Sequence, residues 1–185
     1  MQNPHTNDPF FLPILNVIMD YPNLYLAGPS GFSEFGNLAI ISLEKILSEK
    51  FHVINPFKEG AALGTKIEQF NQDLIEGGSF STIKKKLHSI NLELARKNAE
   101  YIANADIILA ILDGVDVDSG TSAEIGYAFA LHKPIWGYRG DFRLTGDNLG
   151  SKINLQVEYF IEASGGSIFS SLDEIRNWIA NGLGK

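Results

Sequence analysis

Apolar residues along this chain fall into short solid runs separated by longer stretches with a helical beat. Leu24-Tyr-Leu-Ala-Gly-Pro29 is an apolar run stopped by Gly-Pro and reads as a buried first strand. Ser33 to Lys50 carries Leu38, Ile41, Ile46 and Leu47 and predicts a helix. Phe51-His-Val-Ile-Asn-Pro56 is a second short strand ended by Pro56. Residues 57–81 are Gly-rich and show no single period, with Ile67–Ile75 read as a helical piece. Thr82 to Asn104 is a long helix with apolar positions at Ile83, Leu87, Ile90, Leu94, Tyr101 and Ile102. Asp106-Ile-Ile-Leu-Ala-Ile-Leu-Asp113 is the clearest strand, because an unbroken apolar run implies burial on both faces, as in a parallel sheet. Thr121 to His132 follows as a helix and Pro134–Tyr138 as a strand. The Gly- and Asn-rich segment 139–166 contains a helix over Asn154–Ala163. Ile168-Phe169 is a last strand and Leu172–Ile179 a closing helix, with Ser171 and Glu174 in capping-box spacing.

Strands alternating with helices predict an α/β fold over residues 24–185. It is expected to be a flavodoxin-like or Rossmann-like three-layer sandwich around a mainly parallel sheet of about five strands. Residues 1–23, with Pro4, Pro9, Pro13 and Pro22, read as an N-terminal arm. Its Phe10, Phe11, Leu12 and Ile18 are apolar enough to pack on the domain or on a neighbouring subunit.

In open α/β sheets, ligands bind beyond the carboxyl ends of the strands. Three loops there stand out: Gly28-Pro-Ser-Gly-Phe-Ser33, Asn55-Pro-Phe57, and Asp113 to Thr121. The last holds Asp113, Asp116 and Asp118 and leads into Glu124, the one charge on an otherwise apolar helix before His132. A lone carboxylate in the first turn of such a helix is either a cap or a catalyst. Thr121-Ser-Ala-Glu124 fits the S/T-x-x-E capping box, the structural alternative. The other carboxylates on the same loop favour catalysis. A helix N-terminus would also favour the ionised form of Glu124, which suits a nucleophile.

Composition removes several classes of chemistry. The net charge of −7, from 15 basic and 22 acidic residues, argues against a nucleic-acid backbone as partner, and the short run Lys84-Lys85-Lys86 reads as a solvated helix face. With no cysteine there are no disulfides, thiolate chemistry or sulfur-ligated zinc, and His5, His52, His88 and His132 lack ligand spacing. No apolar run has the length of a membrane span and no signal peptide is evident, so a cytoplasmic protein is expected.

The block Asp113-Gly…Asp118-Ser-Gly-Thr…Glu124-Ile-Gly-Tyr-Ala, followed by Lys133-Pro134, resembles the nucleoside 2-deoxyribosyltransferase family. Tyr25-Leu-Ala-Gly-Pro29 and Ile153-Asn-Leu-Gln156 fit the same family, and the resemblance spans roughly residues 24–180. It implies a flavodoxin-like homo-oligomer whose active sites are completed by a neighbour. Such an enzyme cleaves the N-glycosidic bond of a purine or pyrimidine 2′-deoxynucleoside and passes the deoxyribose to a free nucleobase, without metal or organic cofactor. By the resemblance, Glu124 is the nucleophile, Asp118 binds the base and is the best proton donor to it, and Tyr25 orients Glu124. Asn154, from a neighbouring subunit, takes the 5′-hydroxyl, with Gln156 beside it. Gly28, Pro29, Phe32, Asp113, Ser119 and Gly120 complete the expected substrate contacts. A further family aspartate falls on Asn98, whose amide can hydrogen-bond a base but cannot protonate it.

Three rival readings remain. The first is an N-glycoside hydrolase of the same superfamily acting on nucleosides or monophosphates, with the Gly28–Ser33 turn holding the phosphate through backbone amides and serines. The turn has no Arg or Lys, which counts against it. The second is a non-catalytic nucleotide-binding module in which Glu124 is only a cap. The third, a phosphoribohydrolase akin to cytokinin-activating enzymes, lacks its Pro-Gly-Gly lead here.

Overall fold

The computed structural model describes residues 21–181. Residues 1–20 of the expected N-terminal arm, with Phe10, Phe11, Leu12 and Ile18, lie outside them. Five strands, β1 (Asn23–Ala27), β2 (His52–Ile54), β3 (Ile107–Ile111), β4 (Ile135–Tyr138) and β5 (Ile168–Phe169), form one parallel sheet in the order β2-β1-β3-β4-β5. That is the flavodoxin-like order. The helices are α1 (Glu34–Leu47), α2 (Pro56–Glu59), α3 (Ala61–Ile75), α4 (Phe80–Asn104), α5 (Ser119–Ala130), α6 (Leu155–Ala163) and α7 (Leu172–Ala180).

The two-residue alternation of β1 decides which side chains meet which helices. Leu24 and Leu26 point to the face covered by α1 and α7, where they pack with Leu43, Leu47 and Ile175. Tyr25 and Ala27 point to the opposite face, among Ile102 of α4, Ile125 and Ala128 of α5, and Ile161 of α6. Every residue of β3 is buried, as its solid apolar run requires of a central strand covered on both sides.

The chain order reverses between β1 and β3, which are paired directly, so the loops leaving their carboxyl ends part there and open a crevice. Gly28 makes the turn out of β1 with φ +150, and a Cβ on it would lie 2.8 Å from the Cβ of Ile111. Only glycine lets the chain leave β1 this close to β3.

The ambiguous stretch 57–81 holds α2 and α3, and α3 begins six residues before the helical piece read from the sequence. Its weak signal has a physical source: Leu63 is the one α3 residue that is fully buried. Other boundaries move by a few residues. α4 starts at Phe80, and α5 at Ser119 rather than Thr121.

Candidate active site

The start of α5 determines what Glu124 does. Asp118 is the N-cap: its Oδ2 accepts from the Thr121 backbone N–H at 2.9 Å and from the Thr121 hydroxyl at 3.2 Å. Thr121 is therefore a buried residue inside the helix, and Thr121-Ser-Ala-Glu124 does not form the capping box that its spacing allows. Glu124 lies in the second turn, not the first. Its carboxylate turns toward the sheet, where Oε1 accepts from the Tyr25 hydroxyl at 2.7 Å. The tyrosine is wholly buried beneath it.

Burial pushes the Glu124 carboxyl above the ordinary carboxylate range; the Tyr25 hydrogen bond opposes this, and the nearby Asp118 adds to it. The expected pull of the helix end toward the ionised form is thereby outweighed, and the net shift is upward. The helix-end field decays within the first turn, and loss of water outweighs it in the second. Burial also drives the Tyr25 hydroxyl far above its usual value, helped by the charge and hydrogen bond of Glu124. Tyr25 is thus a fixed donor, not a proton carrier.

Glu124 opens onto a cavity of about 460 Å³, within the range of small-molecule sites. From the first loop come Gly28, Pro29 and Phe32, and from α5 and its cap Asp118, Gly120, Thr121 and Glu124. α4 supplies Leu94, Ala95 and Asn98. The remaining wall comes from α2 and α3, through Pro56, Phe57, Gly60, Ala61, Gly64 and Ile67. The lining contains two carboxylates and neither Lys nor Arg.

The cavity thus gathers Glu124, Asp118, Gly28, Pro29, Phe32, Asn98 and Gly120, with Tyr25 underneath. Four other residues singled out from the sequence stand elsewhere. Asp113 is exposed at the end of β3, accepts from the Asp141 N–H at 2.9 Å, and lines a separate depression with Tyr138 and Arg143. Ser119 is exposed at the first residue of α5, outside the lining. Asn154 caps α6, its Oδ1 accepting from the N–H groups of Gln156 at 3.0 Å and Val157 at 3.4 Å. Asn154 and Gln156 are both exposed and outside this cavity. Among the described residues no group of three or more His, Cys, Asp or Glu is placed to hold a metal ion. No described helix is long and apolar enough to cross a membrane.

Two contributions escape the sequence. Phe57 is one. Buried Asn55 caps α2, accepting from the Phe57 N–H at 3.0 Å, while its Nδ2 donates to buried Glu44 at 2.8 Å, and Lys58 pairs with the same carboxylate. These bonds hold Phe57 edge-on to Phe32, with ring centroids 4.9 Å apart. The Asn-Pro-Phe triplet was the available signal. Arg139 is the other. Its buried guanidinium donates to the carbonyls of Leu112, Gly114 (3.2 Å) and Arg143 (2.8 Å), tying the loop that leads to Asp118 to the segment after β4. Its place just past β4, beside the end of β3 in a parallel sheet, was the signal.

Residues 24–156 match the family described as Nucleoside 2-deoxyribosyltransferase. A comparison with curated proteins finds no match. Among solved structures, the chain is similar to a conserved protein from Enterococcus faecalis V583, with TM-score 0.58, 20% identity, and 87% of this chain and 98% of that one covered. It is also similar to the 2-deoxyribosyltransferase of Bacillus psychrosaccharolyticus, with TM-score 0.57, 22% identity and coverage of 84% and 90%. The 2-desoxiribosyltransferase of Leishmania mexicana follows, with TM-score 0.55, 21% identity and coverage of 86% and 97%. At these identities the likeness is one of fold.

Proposed function

From the premise that this chain belongs to the nucleoside 2-deoxyribosyltransferase family, we propose that it transfers deoxyribose between nucleobases through a covalent ester on Glu124. The observation that carries this reading is the half-buried Glu124 carboxylate, fixed by the Tyr25 hydroxyl at the edge of a small-molecule cavity.

In the first step a Glu124 oxygen attacks C1′ from the face opposite the base. The C1′–N bond breaks, its electron pair leaves with the base, and Asp118 donates the proton that the base takes up. Oδ2 of Asp118 is held by the helix cap, whereas Oδ1 has no protein partner among the described residues and is open to a base. In the second step a nitrogen of the incoming base attacks C1′, the ester C–O bond breaks, Glu124 regains its charge, and the proton of the acceptor returns to Asp118. Two displacements at one carbon retain its configuration, the logic of a retaining glycosidase. Asn98 on α4 supplies an amide to the base edge.

A lining with two carboxylates and no cation supports an uncharged nucleoside over a monophosphate. The Gly28–Ser33 turn supports the same choice, because the Ser33 hydroxyl accepts from the Gly36 N–H at 3.0 Å and serves as the cap of α1. The placement of Asn154 and Gln156 outside the cavity fits a homo-oligomer in which a neighbour brings them to the site; a lone 20.4 kDa species on gel filtration overturns that assembly.

The deciding experiment is chromatography of purified protein with deoxyinosine, with and without adenine, alongside Glu124→Ala. Deoxyadenosine formed by the wild type alone supports transfer and its nucleophile. Hypoxanthine released without a new nucleoside replaces transfer with hydrolysis, and unchanged deoxyinosine overturns both.

A further inference from the structure

Two glycines line the α2–α3 wall, and the structure accounts for only one of them. Gly60 sits between the two helices, and a Cβ there would come to 3.0 Å from both Leu94 Cδ2 and the Pro56 carbonyl, so close packing explains it. Gly64 lies inside α3 with no left-handed backbone angle, and a Cβ there would meet nothing within 4 Å. A glycine within a helix is less favourable than alanine, because its unfolded chain has more freedom to lose. Neither a turn nor a packing neighbour offsets that cost at Gly64. The effect of its missing side chain is on the cavity: it leaves the α3 wall open where Ile67 and Leu94 also line the space.

Gly64 and Glu124 line the same cavity from different helices, so with its sugar at that carboxylate a base has the α3 wall to lie against. Phe57, Ile67 and Leu94 are apolar surfaces suited to the faces of an aromatic ring. A one-ring base held at Asn98 and Asp118 would leave the Gly64 end unfilled and forfeit dispersion contacts. We infer that Gly64 is a specificity-determining residue: its bare Cα gives the cavity the room for a two-ring base, so the site takes purines in preference to pyrimidines. The inference rests on reading this cavity as the nucleobase site.

The test is calorimetric titration of the full chain with adenine and with cytosine, for wild type, Gly64→Ala and Gly64→Leu, with the transfer assay run in parallel. Alanine and leucine are both better helix formers than glycine, so neither variant is expected to melt below wild type. Wild type should bind adenine at least about tenfold more tightly than cytosine. Gly64→Leu should weaken adenine by about tenfold or more and cytosine by less than about threefold, with Gly64→Ala weakening adenine by an intermediate amount. Equal weakening of both bases, no effect of leucine, or no measurable binding of either base to wild type would each overturn the inference. Selective loss of adenine binding in a protein that transfers no deoxyribose leaves the inference standing and removes the transferase reading. Transfer without base discrimination does the reverse.

Discussion

On one side of the cavity, Glu124 and Asp118 hang from α5, braced by a tyrosine of the central sheet and by a loop whose start Arg139 pins at the carbonyls of Leu112 and Gly114. On the other, α2 and α3 present Phe57, Gly60, Ala61, Gly64 and Ile67, a wall with no charged group. The first wall is held by hydrogen bonds to deeply buried elements. The second is apolar, largely exposed to the cavity, and anchored through Asn55 and Glu44 at one end. The contrast separates two tasks: the α5 side is built to hold a charge at one point, and the α2–α3 side to offer shape. Changes to the first should appear in kcat and its pH profile, and changes to the second in KM and in the choice of base.

The largest effect belongs to Glu124→Gln, expected to lower turnover by about 10³-fold or more in the transfer assay. It should also make the protein more stable at neutral pH. Burial raises the folded-state pKa of Glu124 above that of an unfolded glutamate, so its contribution to stability is fully present below the unfolded value and is lost as pH rises through the folded one. The variant lacks that loss. Its advantage in melting temperature should widen as pH climbs from about 4 toward neutrality, and a constant difference would contradict the assignment.

Asp118→Asn should cost about 10²-fold in kcat, while asparagine still caps α5 and keeps the melting temperature near wild type. Because Asp118 helps to raise the Glu124 pKa, the acid limb of the remaining activity should move to lower pH. Tyr25→Phe should cost about tenfold and move that limb the opposite way, since the lost hydrogen bond is the one influence that lowers the Glu124 pKa. Shifts of the same sign in these two variants would break the picture of a carboxylate set between them. Phe57→Ala is the mildest: KM for the donor should rise by roughly threefold to tenfold with kcat nearly kept. A fall in kcat instead would mean that the apolar wall also orients the reacting atoms.

The same contrast governs what could be read before the structure was known. The five strands and most helices were legible, because the solid run at Ile107–Leu112 and the spacing of apolar residues in α4 and α7 leave few other packings. In α1 the helix was legible but not its face, since Leu38 and Ile41 are exposed and Ile40 and Leu43 are buried instead. α3 was not, because a helix that faces a cavity on one side and water on another needs no apolar stripe, and it buries Leu63 alone. Within the site, the loop residues were legible as a set but not as directions. Asp113 and Asp118 are both loop carboxylates in the sequence, and only the pinning of that loop by Arg139 and Asp141 shows that one lines the cavity and the other does not. The Thr121–Glu124 spacing fits two structures, and the choice fell to Asp118, whose carboxylate takes the cap three residues earlier.

The bond between Tyr25 and Glu124 joins residues 99 positions apart. Such a contact cannot form until β1 and β3 have found each other across a long loop and α5 has emerged and docked, so it belongs to the slow, non-local part of folding. Helical segments can appear earlier from local interactions alone. The enzyme therefore carries its own proof of completion: a chain that has recovered its helices but not its sheet order has the carboxylate without the phenol that positions it. On refolding, the return of turnover should trail the return of helical circular dichroism by the interval the sheet takes to assemble.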